Sequence, residues 1–330
     1  MKVAIFSAQP FDTDAFKGIG HKHDLIFLSG RLDRDSAPLA KEAGAVCVTP
    51  TDIVDAPVIR VLASGRTSLI VVRSSFFDNV DFRAAERYGL TVKWLPGFAP
   101  HAIAEHAAAL LLSVTRKIPL ALERVRQGDF TLEGLAGSNL YEKTVGIIGM
   151  GRIGRAFARI MLGFGCKLLG HDQRGDADTG MPEVEIVSVD ELLKRSDIIS
   201  LHCDMNQFTI PVIDQAALKA VKPGLVLLNT AGGQLVDTKA LVKALKEGRI
   251  GAYAADVYQN ERDIFQRKFD SPDKIPDPLL ISLLSQPGVL LTPHLGFLTA
   301  EAMHQVARTV INEITYYENL TGGTTDRLMI

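Results

Sequence analysis

The run Val145-Gly146-Ile147-Ile148-Gly149-Met150-Gly151-Arg152-Ile153-Gly154 constrains this chain more than any other feature. It reads as a short apolar strand, then GxGxxG, then a helical stretch from Arg155 to Leu162. The glycine pattern alone is common. Between a strand and a helix it marks a βαβ unit that receives a pyrophosphate. Gly149 would permit the tight turn, Gly151 would let the backbone approach the phosphates, and Gly154 would let helix and strand pack closely. The helix start at Arg152 and Ile153 offers unbonded N–H groups to the anion. The next strand, Lys167 to His171, ends at Asp172, 23 residues after Gly149. An acid near that offset holds the ribose hydroxyls, and its charge repels a 2′-phosphate, so NAD is expected rather than NADP. Arg174 argues mildly the other way. The alternative, a glycine-rich turn without a ligand and a surface Asp172, lacks an explanation for the strand and helix on either side.

The rest of the chain repeats the α/β theme. Val3 to Phe6, Leu25 to Leu28, Ala45 to Val48 and Leu69 to Val72 are short and apolar throughout, as strands of a sheet covered on both faces are. Asp81 to Tyr88 reads as a helix capped by Asp81, and Thr91 to Leu95 as one more strand. Pro96-Gly97 and Pro100 then mark a domain boundary near residue 98. Ala102 toward Arg126 reads as one long helix, and a second βαβ series runs from Thr144 to about Leu291. Between Ala300 and Asn319 the apolar positions Met303, Val306, Ala307, Val310, Ile311 and Ile314 make a single stripe that could pack back on the first domain.

Composition removes other classes. A length of 330 residues suits about two domains. The net charge of −2 gives no pull toward nucleic acid or an anionic membrane. The longest apolar run, Ala107 to Leu112, is far short of a membrane span. Cys47, Cys166 and Cys203 are odd in number and without CxxC, which disfavours disulfide and zinc frameworks. No metal site is expected, and with no visible signal peptide a cytoplasmic location is.

In order along the chain, several further motifs resemble the D-2-hydroxyacid dehydrogenase family, and its D-lactate dehydrogenase branch most. They are Val71-Val72-Arg73-Ser74 with Asn79-Val80-Asp81, Ala104-Glu105-His106-Ala107, Ser196 to Cys203, Asn229-Thr230 with Leu235-Val236-Asp237, Asp256-Val257-Tyr258 and Thr292-Pro293-His294. The resemblance implies a Rossmann NAD domain, residues 99–298, inserted into a flavodoxin-like substrate domain, residues 1–98 and 299–330. It implies a homodimer acting on a small 2-oxo or 2-hydroxy acid. His294 matches the family's acid/base histidine and Glu261 its carboxylate partner. Such a carboxylate orients an imidazole and raises its pKa, which suits proton donation near neutral pH. Asp256 matches an aspartate near the nicotinamide. His202, Cys203, Thr230 and Ala231 fall on cofactor-side positions, although His202, at the end of an apolar strand, reads more readily as structural and Cys203 equally well as a packing residue. Glu105 and His106 read as braces for the hinge.

The substrate side departs from the pattern. Gly232 stands where the family carries an arginine, with the flanking motifs in register. A guanidinium there would clamp the substrate carboxylate in bidentate fashion, and glycine supplies none of it. Losing one such positioned donor typically costs about 10²–10³ in rate. Ser75 and Phe76 replace a small pair in the loop that follows Arg73 and Ser74, and Phe98 replaces a tyrosine. Asp204 and Asn206 stand where proline and threonine are usual. Two functions follow. One is an NAD-dependent oxidoreductase with an altered pocket, Arg73 being the nearest candidate cation. The other is a catalytically weak NAD(H)-binding sensor or scaffold.

Overall fold

The computed structural model describes residues 1–74, 77–95, 97, 99–173 and 180–321. The chain forms two compact units. The first comprises Met1–Ala99 and Leu298–Ile330, the second Pro100–Phe297.

The first unit opens with β1 (Lys2–Ile5), α1 (Pro10–Lys17), β2 (Asp24–Phe27), β3 (Ala45–Val48), α2 (Ala56–Ser64), β4 (Leu69–Val72), α3 (Phe82–Arg87) and β5 (Thr91–Trp94). Its five strands are parallel in the order β2-β1-β3-β4-β5. That is the flavodoxin-like doubly wound order. Every residue of β3 and β4 is buried, which explains why these strands show no polar alternation. Asp81 caps α3 by accepting from the Ala84 N–H.

Arg73, the candidate substrate cation, follows β4 in the buried interior of the first unit. Its guanidinium is buried, with Nη1 paired to Asp12 on α1 and Nη2 donating to the Phe6 carbonyl at 2.8 Å. A buried guanidinium must be matched by a carboxylate, and Asp12 already fills that role. Ser74 beside it is buried as well. Ser75, Phe76, Phe98 and Arg174 lie outside the described residues.

The second unit begins with α4 (Pro100–Thr115) and α5 (Ile118–Arg126). The single helix expected over this stretch is broken: Lys117 adopts a left-handed φ of 54° and Pro119 sits in the first turn of α5. Proline lacks an N–H and its ring clashes with the carbonyl four residues back, so it suits the first turn of a new helix but not the continuation of α4. There follow β6 (Thr144–Ile148), α6 (Arg152–Gly163), β7 (Lys167–His171), β8 (Val184–Ile186), α7 (Val189–Arg195), β9 (Ile198–Leu201), α8 (Gln215–Ala220), β10 (Leu225–Asn229), α9 (Thr238–Lys246), β11 (Ile250–Ala255), α10 (Pro278–Leu284) and β12 (Val289–Leu291). All seven strands are parallel, in the order β8-β7-β6-β9-β10-β11-β12. The order reverses between β6 and β9, and ligands of open α/β sheets bind outside the carboxyl ends of the strands at such a point. Two apolar clusters pack this unit, one including Phe157 and Met161 of α6 with Leu111 of α4.

The final helix, α11 (Ala300–Leu320), returns to the first unit. Its buried stripe is the one the spacing indicates, with Ala302 added. It is tied there by His23 Nε2 to Thr315 Oγ1 at 2.9 Å and by Tyr317 Oη donating to the Ser68 carbonyl at 3.3 Å.

Candidate active site

The strand ends of the second unit gather nearly all the candidate chemistry. Gly149 follows β6 with φ of 101°, and a Cβ there would lie 2.4 Å from the Cys203 nitrogen and the His202 carbonyl carbon. A Cβ on Gly154 would lie 2.0 Å from the Gly149 carbonyl oxygen. These glycines are therefore fixed by backbone packing at the turn. Gly151 differs: it caps α6 with no side-chain bond, and no heavy atom comes within 4 Å of where its Cβ would stand. The start of α6 thus presents its dipole and an open backbone approach at Gly151 to an anion. Asp172, at the end of β7, accepts the Met150 N–H at 2.9 Å, which draws its carboxylate up to the glycine turn.

His202 and Thr230 each hold a buried polar atom with no protein partner, Nδ1 and Oγ1 respectively. His202 Nε2 meets Ser200 Oγ at 2.8 Å, and burial pulls its pKa down to about 3, so the ring is neutral. Burial likewise pushes the Cys203 thiol up to about 11, leaving it inert. Ala231 donates its N–H to Asn229 Oδ1 at 3.1 Å. An open approach at Gly151, an uncapped helix and orphaned atoms at Thr230 and His202 together fit a bound dinucleotide. Among the described residues no cluster of three His, Cys, Asp or Glu could hold a metal ion, and no helix is long and apolar enough to cross a membrane.

After β12 the chain turns sharply at His294, whose φ of 57° is unusual for a side chain this large. Its Nδ1 lies 2.6 Å from Glu261 Oε1, and Glu261 Oε2 accepts the Tyr258 N–H at 2.8 Å. The imidazole retains 42% of its side-chain exposure. Crowding by protein lowers its pKa, but the Glu261 hydrogen bond and charge, with the Asp256 charge, outweigh that and raise it above the ordinary 6.5. Asp256 is what holds the turn. It is 3% exposed, and it accepts from Thr292 Oγ1 at 2.5 Å, the Leu295 N–H at 2.9 Å and the Gly296 N–H at 2.7 Å. His106 of α4 lies 3.0 Å from Thr292 Oγ1 and 3.4 Å from Asp256. Burial alone would raise the Asp256 pKa, yet these donors bring it below the usual carboxylate range. A left-handed non-glycine costs about 1–3 kcal/mol. The bonds to Asp256 on the residues just after it offset that strain.

Gly232 follows β10. The volume a Cβ would take is filled by Met205, whose Sδ and Cγ stand 2.4 and 2.7 Å from that position. The backbone of Gly232 is also committed, its N–H to Asn229 Oδ1 at 3.3 Å and its carbonyl to Asn229 Nδ2 at 2.9 Å.

The family model described as "D-isomer specific 2-hydroxyacid dehydrogenase, NAD binding domain" matches residues 108–296. The chain belongs to the D-isomer-specific 2-hydroxyacid dehydrogenase family. It is 41% identical over 318 residues to "2-hydroxyacid dehydrogenase homolog 1" of Schizosaccharomyces pombe, with 96% of each chain covered. It is 36% identical over 320 residues to the D-lactate dehydrogenase of Escherichia coli, covering 96% of this chain and 97% of that one. Among solved structures, the pyruvate reductase of Chlamydomonas reinhardtii superposes with a TM-score of 0.90 at 36% identity, 96% of each chain being covered. NAD is the cofactor of this dehydrogenase fold.

For a family member, several residues here carry more than sequence reading assigns them. His106, expected to brace a hinge, contacts Asp256 and Thr292. Asp256 spends its oxygens on the His294 turn. Tyr258 is unforeseen: its N–H holds Glu261, and its hydroxyl donates to Asp277 Oδ2 at 2.9 Å. Met205 is unforeseen as well. The sequence held a signal only for His106, through its place in Ala104-Glu105-His106-Ala107.

Proposed function

We propose that the chain reduces a carbonyl compound of the 2-oxo acid type to the D-hydroxy product with NADH, on a pocket altered at Gly232. The observation that carries this reading is the 2.6 Å contact of His294 Nδ1 with Glu261 Oε1. NADH, when bound, supplies the hydride. Glycines 149, 151 and 154, the α6 start, Asp172 and Thr230 hold the dinucleotide. Glu261 fixes the ring through Nδ1, which leaves Nε2 to give its proton to the carbonyl oxygen. Asp256 keeps that nitrogen in place by fixing Leu295 and Gly296. In the reverse direction the neutral ring takes the proton from the hydroxyl. The second unit is read as the NAD-binding domain and the first as the substrate domain.

Gly232 brings no guanidinium to a substrate carboxylate, and Arg73 is closed by Asp12. Turnover on ordinary 2-oxo acids is therefore weak, by about 10²–10³ relative to a site with that donor. Gly232 under Met205 also favours a second reading, an NAD(H)-binding sensor or scaffold. NADH titration by fluorescence, beside NADH consumption over a panel of 2-oxo acids, separates the two. Saturable binding with slow, saturable turnover is expected. Tight binding with no turnover on any substrate would assign the chain to the second reading.

The assembly we propose is a homodimer. No residue of α5 is buried, and Ile118, Leu122, Val125, Phe130 and Leu132 stand exposed on and just after it. Apolar surface of this extent usually meets a partner. Light scattering should give about twice the chain mass of 35.8 kDa. A monomer mass at micromolar concentration would contradict it.

A further inference from the structure

The Gly232–Met205 contact carries a statement about substrate class that deepens, and rests on, the function just proposed. Met205 follows β9 and Gly232 follows β10, which pair in the sheet, so the two lie at neighbouring strand ends. Gly233 abuts the backbone of Tyr258 and Gln259, where an added Cβ would come within 2.1 Å of the Tyr258 carbonyl carbon. The Tyr258 N–H in turn holds Glu261, and Glu261 holds His294. Met205 therefore covers a segment joined by direct contacts to the proton donor.

The loop bearing Met205 is fixed. Thr209 Oγ1 donates to the Asp204 carbonyl at 2.7 Å and accepts the Asn206 N–H at 2.8 Å, while Asn206 Oδ1 accepts the Phe208 N–H at 2.8 Å. Met205, Phe208 and Ile210 of the same loop are exposed apolar side chains. The segment beneath Met205 has little to give an anion: the N–H groups of Ala231 and Gly232 both go to Asn229 Oδ1. The imidazole that donates the proton is flanked by the carboxylates of Glu261 and Asp256.

We propose that Met205 is a specificity-determining residue that selects carbonyl compounds whose carbonyl-flanking group is uncharged, such as 2-oxo esters and other neutral ketones, over 2-oxo acids. A thioether packed where a side chain at 232 would stand gives an apolar wall, against which a neutral group packs and a carboxylate loses its hydration. The reaction is unchanged in kind. The hydride of NADH goes to the carbonyl carbon and the proton on His294 Nε2 to its oxygen. The C=O π bond breaks, one C–H and one O–H bond form, NAD⁺ is released, and the ring is reprotonated from solvent.

The test compares pyruvate with methyl pyruvate, and 4-methyl-2-oxopentanoate with its methyl ester. Each pair is run with the full-length wild type, Met205→Lys and Met205→Leu, with NADH binding followed by fluorescence in every variant. The wild type should favour the ester by about tenfold or more in kcat/KM, the size of one charged contact. Met205→Leu should keep that ratio and Met205→Lys should move it at least tenfold toward the acid. A purely structural role would lower both substrates together and leave the ratio alone, which would overturn the proposal. A wild type that prefers the acids would overturn it too, while leaving the dehydrogenase reading intact. NADH binding with no turnover of acid or ester would remove that reading, and this inference with it.

Discussion

Replacing His294 with Asn should lower the rate of carbonyl reduction by about 10²–10⁴, the usual contribution of a positioned general acid. Its pH dependence is the sharper signature. Reduction needs the imidazolium, and the pKa of this ring lies above the ordinary 6.5 because Glu261 and Asp256 favour the charged form over the opposing effect of burial. The rate should be at its plateau below pH 6.5 and should fall only as pH rises through the raised value. Glu261→Gln removes the charge 2.6 Å from Nδ1, so in that variant the fall should begin at lower pH. A pH–rate profile that is the same in wild type and Glu261→Gln would show that this pair does not deliver the proton.

The second large effect concerns the glycine turn, where two neighbouring alanines should separate packing from ligand contact. Gly154→Ala would place a methyl group 2.0 Å from the Gly149 carbonyl oxygen, and neither partner is a flexible side chain. The helix must shift away from the strand, at a cost of about 3 kcal/mol or more. An earlier unfolding transition in urea and loss of NADH binding should appear together. Gly151→Ala meets no protein atom within 4 Å, and its φ of −70° suits alanine. Stability should stay within about 1 kcal/mol, the scale of a lost cap preference. NADH affinity should nonetheless fall at least tenfold, because the methyl group occupies the space the pyrophosphate needs. Unchanged NADH affinity in Gly151→Ala would mean the dinucleotide does not lie over this turn.

What the sequence made legible follows the range of the forces involved. The strand, turn and helix around Gly149 are written in ten contiguous residues, and their steric demands are local. Fully apolar strands such as Leu69–Val72 announce a covered parallel sheet for the same reason. The pairing of Arg73 is not legible because its partner, Asp12, is 61 residues away on another element, and nothing near Arg73 signals a buried pair. The break between α4 and α5 was written in Pro119, but the apolar content of the stretch masked it. Glu261 and His294 are 33 residues apart, so only the resemblance could join them, and the geometry then supplied the contact. Asp256 gathers donors from the turn after β12 and from α4, a convergence invisible along the chain. Met205 was hidden because its importance is a volume, the one that Gly232 leaves for it.

A crystal structure of the full chain with NADH would test the central claim most directly. The pyrophosphate should lie on the N–H groups at the start of α6, against Gly151, with Asp172 on the adenosine ribose. The nicotinamide should face Nε2 of His294 while Nδ1 stays on Glu261. A dinucleotide bound elsewhere, or an imidazole turned away from the nicotinamide ring, would contradict the account.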